Sequence, residues 1–179
     1  MRVITGSAGG RKLKSPKGEA VRPTTDHVKQ AMFNILQFDL EGRKVLDLFA
    51  GTGQLGIEAL SRGAREAVFT DRSRESVRLV KENLKSCGLS GRVLESDAVS
   101  FLSRGERFDI IFIDPPYDAG LYEAVLKQIN QVDNLNDGGI IICEARAGTL
   151  FPELQPPYRR LREKRYGTVE ICLYTKERL

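Results

Sequence analysis

The chain has 179 residues, 41% hydrophobic and 29% charged, which suits one globular domain with a substantial core and is far from disordered or membrane-spanning composition. The net charge is +4, and the first 30 residues hold seven basic side chains against Glu19 and Asp26, a net of +5, while the remainder has 21 basic and 22 acidic residues. The amino terminus lacks the apolar stretch of a secretory signal and no segment approaches the length of a membrane helix, so a cytoplasmic protein is expected.

Residues 2–14 alternate apolar and polar around Gly9-Gly10, which predicts a small hairpin, and Ser15-Pro16-Lys17-Gly18 breaks it. Val28, Met32, Ile35 and Leu36 follow helical spacing between Thr25 and Phe38, with Thr24 or Thr25 as cap. The excess positive charge sits on this hairpin-helix extension, as a polyanion-binding arm on a near-neutral body would be arranged.

After Gly42, strands and helices alternate. Lys44 to Phe49 reads as a buried strand, Gln54 to Arg62 as a helix, Ala67 to Asp71 as a strand, and Ser73 to Ser86 as a helix with Val77, Val80 and Leu84 on one face. Arg92 to Glu95, a short helix around Val99 to Leu102, the strand Phe108 to Ile113, a helix from Leu121 to Ile129 and the strand Gly139 to Glu144 continue the alternation. This predicts an α/β fold, a mostly parallel sheet covered on both faces. Tyr158 to Arg165 and Thr168 to Thr175, separated by little more than Gly167, predict an antiparallel hairpin closing the sheet. Cys87, Cys143 and Cys172 are odd in number and widely spaced, and with a single histidine they read as reduced buried thiols rather than metal ligands.

The segment Asp47-Leu48-Phe49-Ala50-Gly51-Thr52-Gly53-Gln54-Leu55-Gly56 follows the first core strand and contains G-x-G-x-x-G, with Asp71 20 residues beyond Gly51 at the next strand end. That pattern fits any nucleoside-binding sheet. Asp47 separates the readings: a carboxylate there would oppose the pyrophosphate of NAD, whereas S-adenosylmethionine carries an ammonium and a sulfonium that a carboxylate favours. Asp47, with Phe49, Gly51, Thr52 and Gly53 in the loop, Asp71 with Arg72, Asp97 with Ala98 after the third strand, and Asp114 after the fourth make up the expected cofactor site, Asp71 at the ribose and Asp97 at the adenine amino group.

Asp114-Pro115-Pro116-Tyr117 stands directly behind the apolar strand Phe108 to Ile113. Two prolines cannot extend a sheet ladder, so the strand ends there and presents its last residues at the carboxyl edge, where open α/β sheets bind ligands. Asp114 and the Pro115 carbonyl can accept the hydrogens of an exocyclic amine and Tyr117 can stack on the base. A base reached in this way must leave its stack, so an extruded or unpaired nucleotide is the expected substrate. The reaction expected is methyl transfer to nitrogen without a metal or a covalent enzyme intermediate.

With these motifs the chain resembles the class I S-adenosylmethionine-dependent methyltransferases bearing a D/N-P-P-Y/F tetrapeptide, and more closely the bacterial RsmD family that makes N2-methylguanine in 16S ribosomal RNA. The resemblance covers Met1-Arg2-Val3-Ile4, Gly10-Arg11-Lys12-Leu13, Arg22-Pro23-Thr24-Thr25-Asp26, Phe33-Asn34-Ile35-Leu36, Asp47 to Gly53, Glu58-Ala59-Leu60-Ser61-Arg62-Gly63-Ala64 and the tetrapeptide. It implies a Rossmann-like class I fold of seven strands in one domain, with residues 1–41 as an RNA-binding extension and 42–179 as the cofactor-binding core. It also implies S-adenosylhomocysteine as product, and 16S ribosomal RNA in the small subunit as partner. Arg2, Arg11, Lys12, Lys14, Arg22, Thr24 and Thr25 would contact RNA, and the protein would act as a monomer. His27 stands where the family commonly has arginine. Two other readings share these motifs: an adenine-N6 methyltransferase of DNA or RNA, and a non-catalytic RNA-binding assembly factor on the same fold. An NAD-dependent oxidoreductase is weaker, because the chain offers neither a second substrate domain nor an evident hydride-transfer site.

Overall fold

Strands with apolar residues on both faces need helices on both sides, and the chain supplies them in alternation. The computed structural model describes residues 1–16, 25–116 and 120–178. Within them the elements run α1 (Asp26–Ile35), β1 (Lys44–Asp47), α2 (Gln54–Ser61), β2 (Glu66–Asp71), α3 (Arg74–Cys87), β3 (Arg92–Glu95), α4 (Ala98–Leu102), β4 (Phe108–Ile113), α5 (Leu121–Val132), β5 (Leu135–Arg146), β6 (Tyr158–Tyr166) and β7 (Val169–Lys176). These seven strands form one sheet in the order β3-β2-β1-β4-β5-β7-β6. β1 to β5 pair in parallel, and β7 runs antiparallel to both β5 and β6. The mostly parallel Rossmann-like sheet with a carboxyl-terminal antiparallel hairpin is therefore the fold observed. Its strand order reverses between β1 and β4, the position where such sheets open a crevice at their carboxyl edge.

β4 is the central partner of this arrangement and is buried along nearly its whole length. Ile111 and Ile113 face the core formed with α4 and α5, including Phe101, Val125 and Ile129. Ile110 and Phe112 face the opposite core, where Val28, Met32, Phe33 and Leu36 of α1 and the residue following it pack down. A third apolar cluster joins Val3, Ala8 and Leu13 to Ile57, Phe69, Val80 and Leu84, so the first residues of the chain lie against α2 and α3.

Local chemistry explains the helix starts. Thr25, Ser73 and Asp97 cap α1, α3 and α4 by accepting the backbone amides of Val28, Ser76 and Ser100, each cap contributing about 1 kcal/mol. Several boundaries differ from the sequence expectation. The amino-terminal hairpin has one antiparallel bridge, Arg2 with Lys12, flanked by the backbone bonds of Val3 to Arg11, Gly10 to Val3 and Leu13 to Met1, while Ile4, Thr5, Ser7 and Ala8 between the two arms bond to α2 instead. α1 stops at Ile35, and Phe38, expected to end the helix, is 90% exposed. β1 ends at Asp47 rather than Phe49, since the glycine loop turns away there. α5 continues to Val132, and β5 begins at Leu135, where a register shift lets Leu135 pair with Phe108 ahead of Gly139. Cys87, Cys143 and Cys172 are buried free thiols, and burial pushes those of Cys143 and Cys172 up, the latter to about 11. Among the described residues no helix is long and apolar enough to cross a membrane.

Candidate active site

The sheet order sets the carboxyl ends of β3, β2, β1 and β4 side by side, so Asp97, Asp71, Asp47 and Asp114 follow one another along a single edge. Four residues separated by up to 67 positions are thus brought together by parallel pairing alone.

At the end of β1, Asp47 is only 2% exposed, and its Oδ2 accepts the Gly56 amide at 2.9 Å from the first turn of α2. Burial pushes its carboxyl up to about 7; the Gly56 bond opposes this and the nearby Asp71 charge adds to it. The structure holds this carboxyl inside the loop, where its protonation is set by burial.

The loop itself is shaped by its glycines. Gly51 and Gly53 have φ of 56° and 82°, in the left-handed region that a side chain disfavours. Among the described residues, its chain neighbours apart, no heavy atom lies within 4 Å of where a Cβ on Gly51 would stand. At Gly56 a Cβ would lie 2.3 Å from the Phe69 ring, so this glycine is what lets α2 seat on β2.

Asp71 anchors the loop from the next strand: Oδ2 accepts the Gly51 amide at 2.9 Å and Oδ1 the Ser73 amide at 2.8 Å. Arg72 beside it is exposed. Asp97 is exposed and caps α4 with Oδ1 on the Ser100 amide at 2.9 Å; its bonds from Ser100, side chain first and then amide, hold its carboxyl below the usual range. Ala98 is buried at the start of α4, and Phe49 packs partly buried against the core beneath α4 and α5. Thr52 is buried, with Oγ1 3.1 Å from Met1 Sδ and its carbonyl accepting Asn83 Nδ2 at 2.9 Å. Met1 and Asn83 were not anticipated as supports of the loop.

Asp114 follows β4 half-buried, Pro115 is buried and Pro116 exposed. Tyr117 lies outside the described residues, as do Arg22 and Thr24. Next to this edge, β5 places the buried Glu144 one residue beyond Cys143, the partner of Ile113, and the Tyr122 hydroxyl of α5 donates to the Glu144 carbonyl. Both residues were missed from sequence; an acidic residue inside the apolar run of β5 was the available signal.

The expected RNA contacts within the described residues differ in their partners. Arg2 pairs with Asp26 at 3.2 Å and Lys14 with Glu82 at 2.9 Å, while Arg11 donates to the Ser86 carbonyl at 3.3 Å and Lys12 is exposed. Thr25 spends its hydroxyl on capping α1. Lys29, one of the seven basic residues credited to the arm, is completely buried.

Residues 1–175 match the family described as conserved hypothetical protein 95. The chain belongs to that family, RsmD. It is 40% identical to YlbH of Bacillus subtilis, over 98% of this chain and 99% of that one. The ribosomal RNA small subunit methyltransferase D of Escherichia coli K12 is 36% identical, over 99% of this chain and 90% of that one. The solved structure of YhhF from Escherichia coli superposes with a TM-score of 0.87 at 37% identity, covering 99% of this chain and 98% of that one. The RsmD segment Glu58-Ala59-Leu60-Ser61-Arg62 acquires a physical meaning here. Glu58 accepts the Ile4 amide at 2.8 Å, the Thr5 amide at 3.0 Å and Arg62 Nε at 2.8 Å, and Ser61 Oγ donates to the Thr5 carbonyl at 2.6 Å while accepting the Ala8 amide at 2.9 Å. In this RsmD-family chain the segment is therefore a clamp that holds the amino terminus on α2.

Proposed function

We propose that this protein, acting as one methyltransferase domain, transfers a methyl group from S-adenosylmethionine to the exocyclic N2 of a guanine in 16S ribosomal RNA. The observation that carries the reading is the position of Asp114 and Pro115 at the end of β4, directly beside the β1 glycine loop at the point of strand reversal. The ribosomal RNA small subunit methyltransferase D of Escherichia coli, similar over almost the whole chain, supports the substrate.

The residues present fit the cofactor. The space beside Gly51 leaves room next to the loop, and the row of carboxylates at the strand ends suits a cationic nucleoside better than a pyrophosphate. Phe49, Gly51, Thr52 and Gly53 would line it, Asp71 and Arg72 would meet the ribose, and Asp97 with Ala98 the adenine. When bound, S-adenosylmethionine supplies an electrophilic methyl group on a sulfonium.

The chain's own residues prepare the amine. The lone pair of an exocyclic amine is delocalised into its ring, which makes it a poor nucleophile. Asp114 and the Pro115 carbonyl, accepting both amine hydrogens, favour a pyramidal nitrogen whose lone pair leaves the ring plane, and Asp114 can take up the proton the amine sheds. The buried Pro115 fixes the carbonyl without a competing amide donor. Pro116 continues the turn and Tyr117 would stack on the extruded base. Arg2, Arg11, Lys12, Lys14, Arg22, Thr24 and Thr25 would meet the RNA, presented on the small subunit in the cytoplasm to a monomer.

Small subunits lacking the modification, incubated with the protein and labelled S-adenosylmethionine, are expected to yield N2-methylguanosine on nucleoside analysis by mass spectrometry. N6-methyladenosine would reject the guanine assignment. No transfer, combined with no S-adenosylmethionine binding by calorimetry, would favour a non-catalytic assembly factor.

A further inference from the structure

β6 is the terminal strand of the sheet, and its nine residues Tyr158–Tyr166 carry five basic side chains against the single Glu163. Ion pairs absorb part of that charge: Arg159 lies 2.6 Å from Glu177, and Arg160 lies 2.8 Å from both Glu153 and Glu163. A register shift between Arg160 and Arg162 then resets the alternation. Beyond it Arg162, Lys164 and Tyr166 stand opposite Leu173, Ile171 and Val169, which all belong to the core under α1. Directly opposed residues of antiparallel strands project to the same face. Arg162, Lys164 and Tyr166 therefore form one row on the α1 side.

That row leads to the active-site edge. Lys164 Nζ is 5.1 Å from the Tyr166 ring centroid, and Tyr166 meets His27, in the first turn of α1, edge-on at 6.3 Å. The hairpin turn is joined to the carboxyl end of β5 by pairing of Arg146 with Val169 and by the Ala147 amide on the Thr168 carbonyl at 2.9 Å. β5 is the neighbour of β4, so the row starts three strand spacings from Asp114, roughly 14 Å at about 4.8 Å per strand. Arg162 and Lys164 are exposed and enter no ion pair among the described residues. In the amino-terminal extension, by contrast, Arg2 and Lys14 already face acids and Lys29 is buried.

We infer that Arg162 and Lys164, continued by Tyr166 and His27, bind the phosphate backbone of the RNA strand flanking the target nucleotide. This rests on the ribosomal RNA reading and deepens it: the substrate is gripped from the sheet's far edge as well as from the amino-terminal extension. Two unneutralised cations in a row with an aromatic residue match a single strand better than a rigid duplex, because unstacked nucleotides can follow a curved protein edge. Charged side chains on an edge strand also deter sheet-to-sheet association, and the experiment separates that role.

The test compares wild type, Arg162→Gln/Lys164→Gln, and the charge-matched control Arg65→Gln/Arg104→Gln, whose exposed residues precede β2 and β4 at the amino ends of the strands. Filter binding of a small-subunit ribosomal RNA fragment is measured across a salt series, with methyl transfer and sedimentation in parallel. The Arg162/Lys164 variant is expected to bind RNA about tenfold more weakly, with the slope of log affinity against log salt reduced by about 1 to 2. It should remain monomeric, with S-adenosylmethionine affinity unchanged, and the control should bind as wild type. Binding and salt slope equal to wild type would overturn the inference, as would self-association of the variant with RNA affinity intact. Loss of RNA binding in the variant, when wild type itself transfers no methyl group, would uphold the surface and reject the methyltransferase reading instead.

Discussion

Lys29 Nζ lies 3.6 Å from Glu58 Oε2, and both side chains are wholly inaccessible to solvent. The ammonium also donates to the Arg2 carbonyl at 2.5 Å, so one buried pair ties α1, α2 and the amino-terminal residues together. Burial lowers the Lys29 pKa, and the Glu58 charge only partly restores it.

Glu58→Gln strands the Lys29 ammonium in the core and is expected to destabilise the protein by about 3 to 5 kcal/mol in urea unfolding. Lys29→Met leaves Glu58 with Arg62 Nε at 2.8 Å and should cost less, and the double change less than the two single changes combined. Hydrogen exchange at the Ile4 and Thr5 amides, both held by Glu58, should accelerate in either single variant. Unchanged protection there would refute the clamp.

Asp47 gives the protein a pH dependence whose sign follows from its environment. Its folded pKa of about 7 exceeds the ordinary carboxylate value, so the folded state binds an extra proton between about pH 4 and pH 7. Stability from this group is full below that window and declines as pH rises through it. Asp47→Asn keeps an acceptor for the Gly56 amide without the buried charge, and should raise stability at pH 8 by roughly 2 kcal/mol while changing little at pH 4. A cationic cofactor favours the ionised form, so S-adenosylmethionine affinity should rise with pH through 7 in wild type and flatten in Asp47→Asn. Calorimetry at pH 6, 7 and 8 checks this, and an identical profile in both proteins would remove Asp47 from cofactor recognition.

Asp114→Ala should abolish methyl transfer while leaving S-adenosylmethionine affinity within about threefold of wild type, since the glycine loop and its anchors at Asp47 and Asp71 are untouched. Measurable turnover in that variant would remove Asp114 from the chemistry.

Gly56→Ala should cost about 1 to 3 kcal/mol, because its methyl group would enter the space of the Phe69 ring on β2. Phe69→Leu in the same chain should recover part of that loss. Thermal unfolding of the two single variants and the double gives the coupling directly, and additive effects would show that the contact does not limit the approach of α2.

The legible part of this molecule was written in local patterns. The hydroxyl cap at Thr25, the spacing of the loop glycines and the double proline behind β4 each act over a few residues, and they mark element ends whatever the rest of the chain does. β5 starts at Leu135, ahead of the apolar run that begins at Gly139, where Leu135 pairs with Phe108 and Asn136 Nδ2 donates to Asp109 Oδ1 at 2.9 Å on β4, a partner 27 residues away. One member of the basic count departs for the same reason. Charge counted along the chain credits Lys29 to a surface, whereas a glutamate 29 residues later draws it into the core.

By itself, then, the sequence determined the alternating α/β architecture, the glycine loop and the series of aspartates at strand ends, because each depends on side chains acting on nearby backbone. Tertiary structure alone decided the rest. Parallel pairing in the order β3-β2-β1-β4 collected the aspartates on one edge. Burial moved Asp47 toward neutrality. Long-range ion pairs neutralised Arg2 and Lys14, while Arg162 and Lys164 on the terminal strand kept their charge exposed. Solvation and electrostatic energy depend on three-dimensional neighbours, and those neighbours are far apart in the chain.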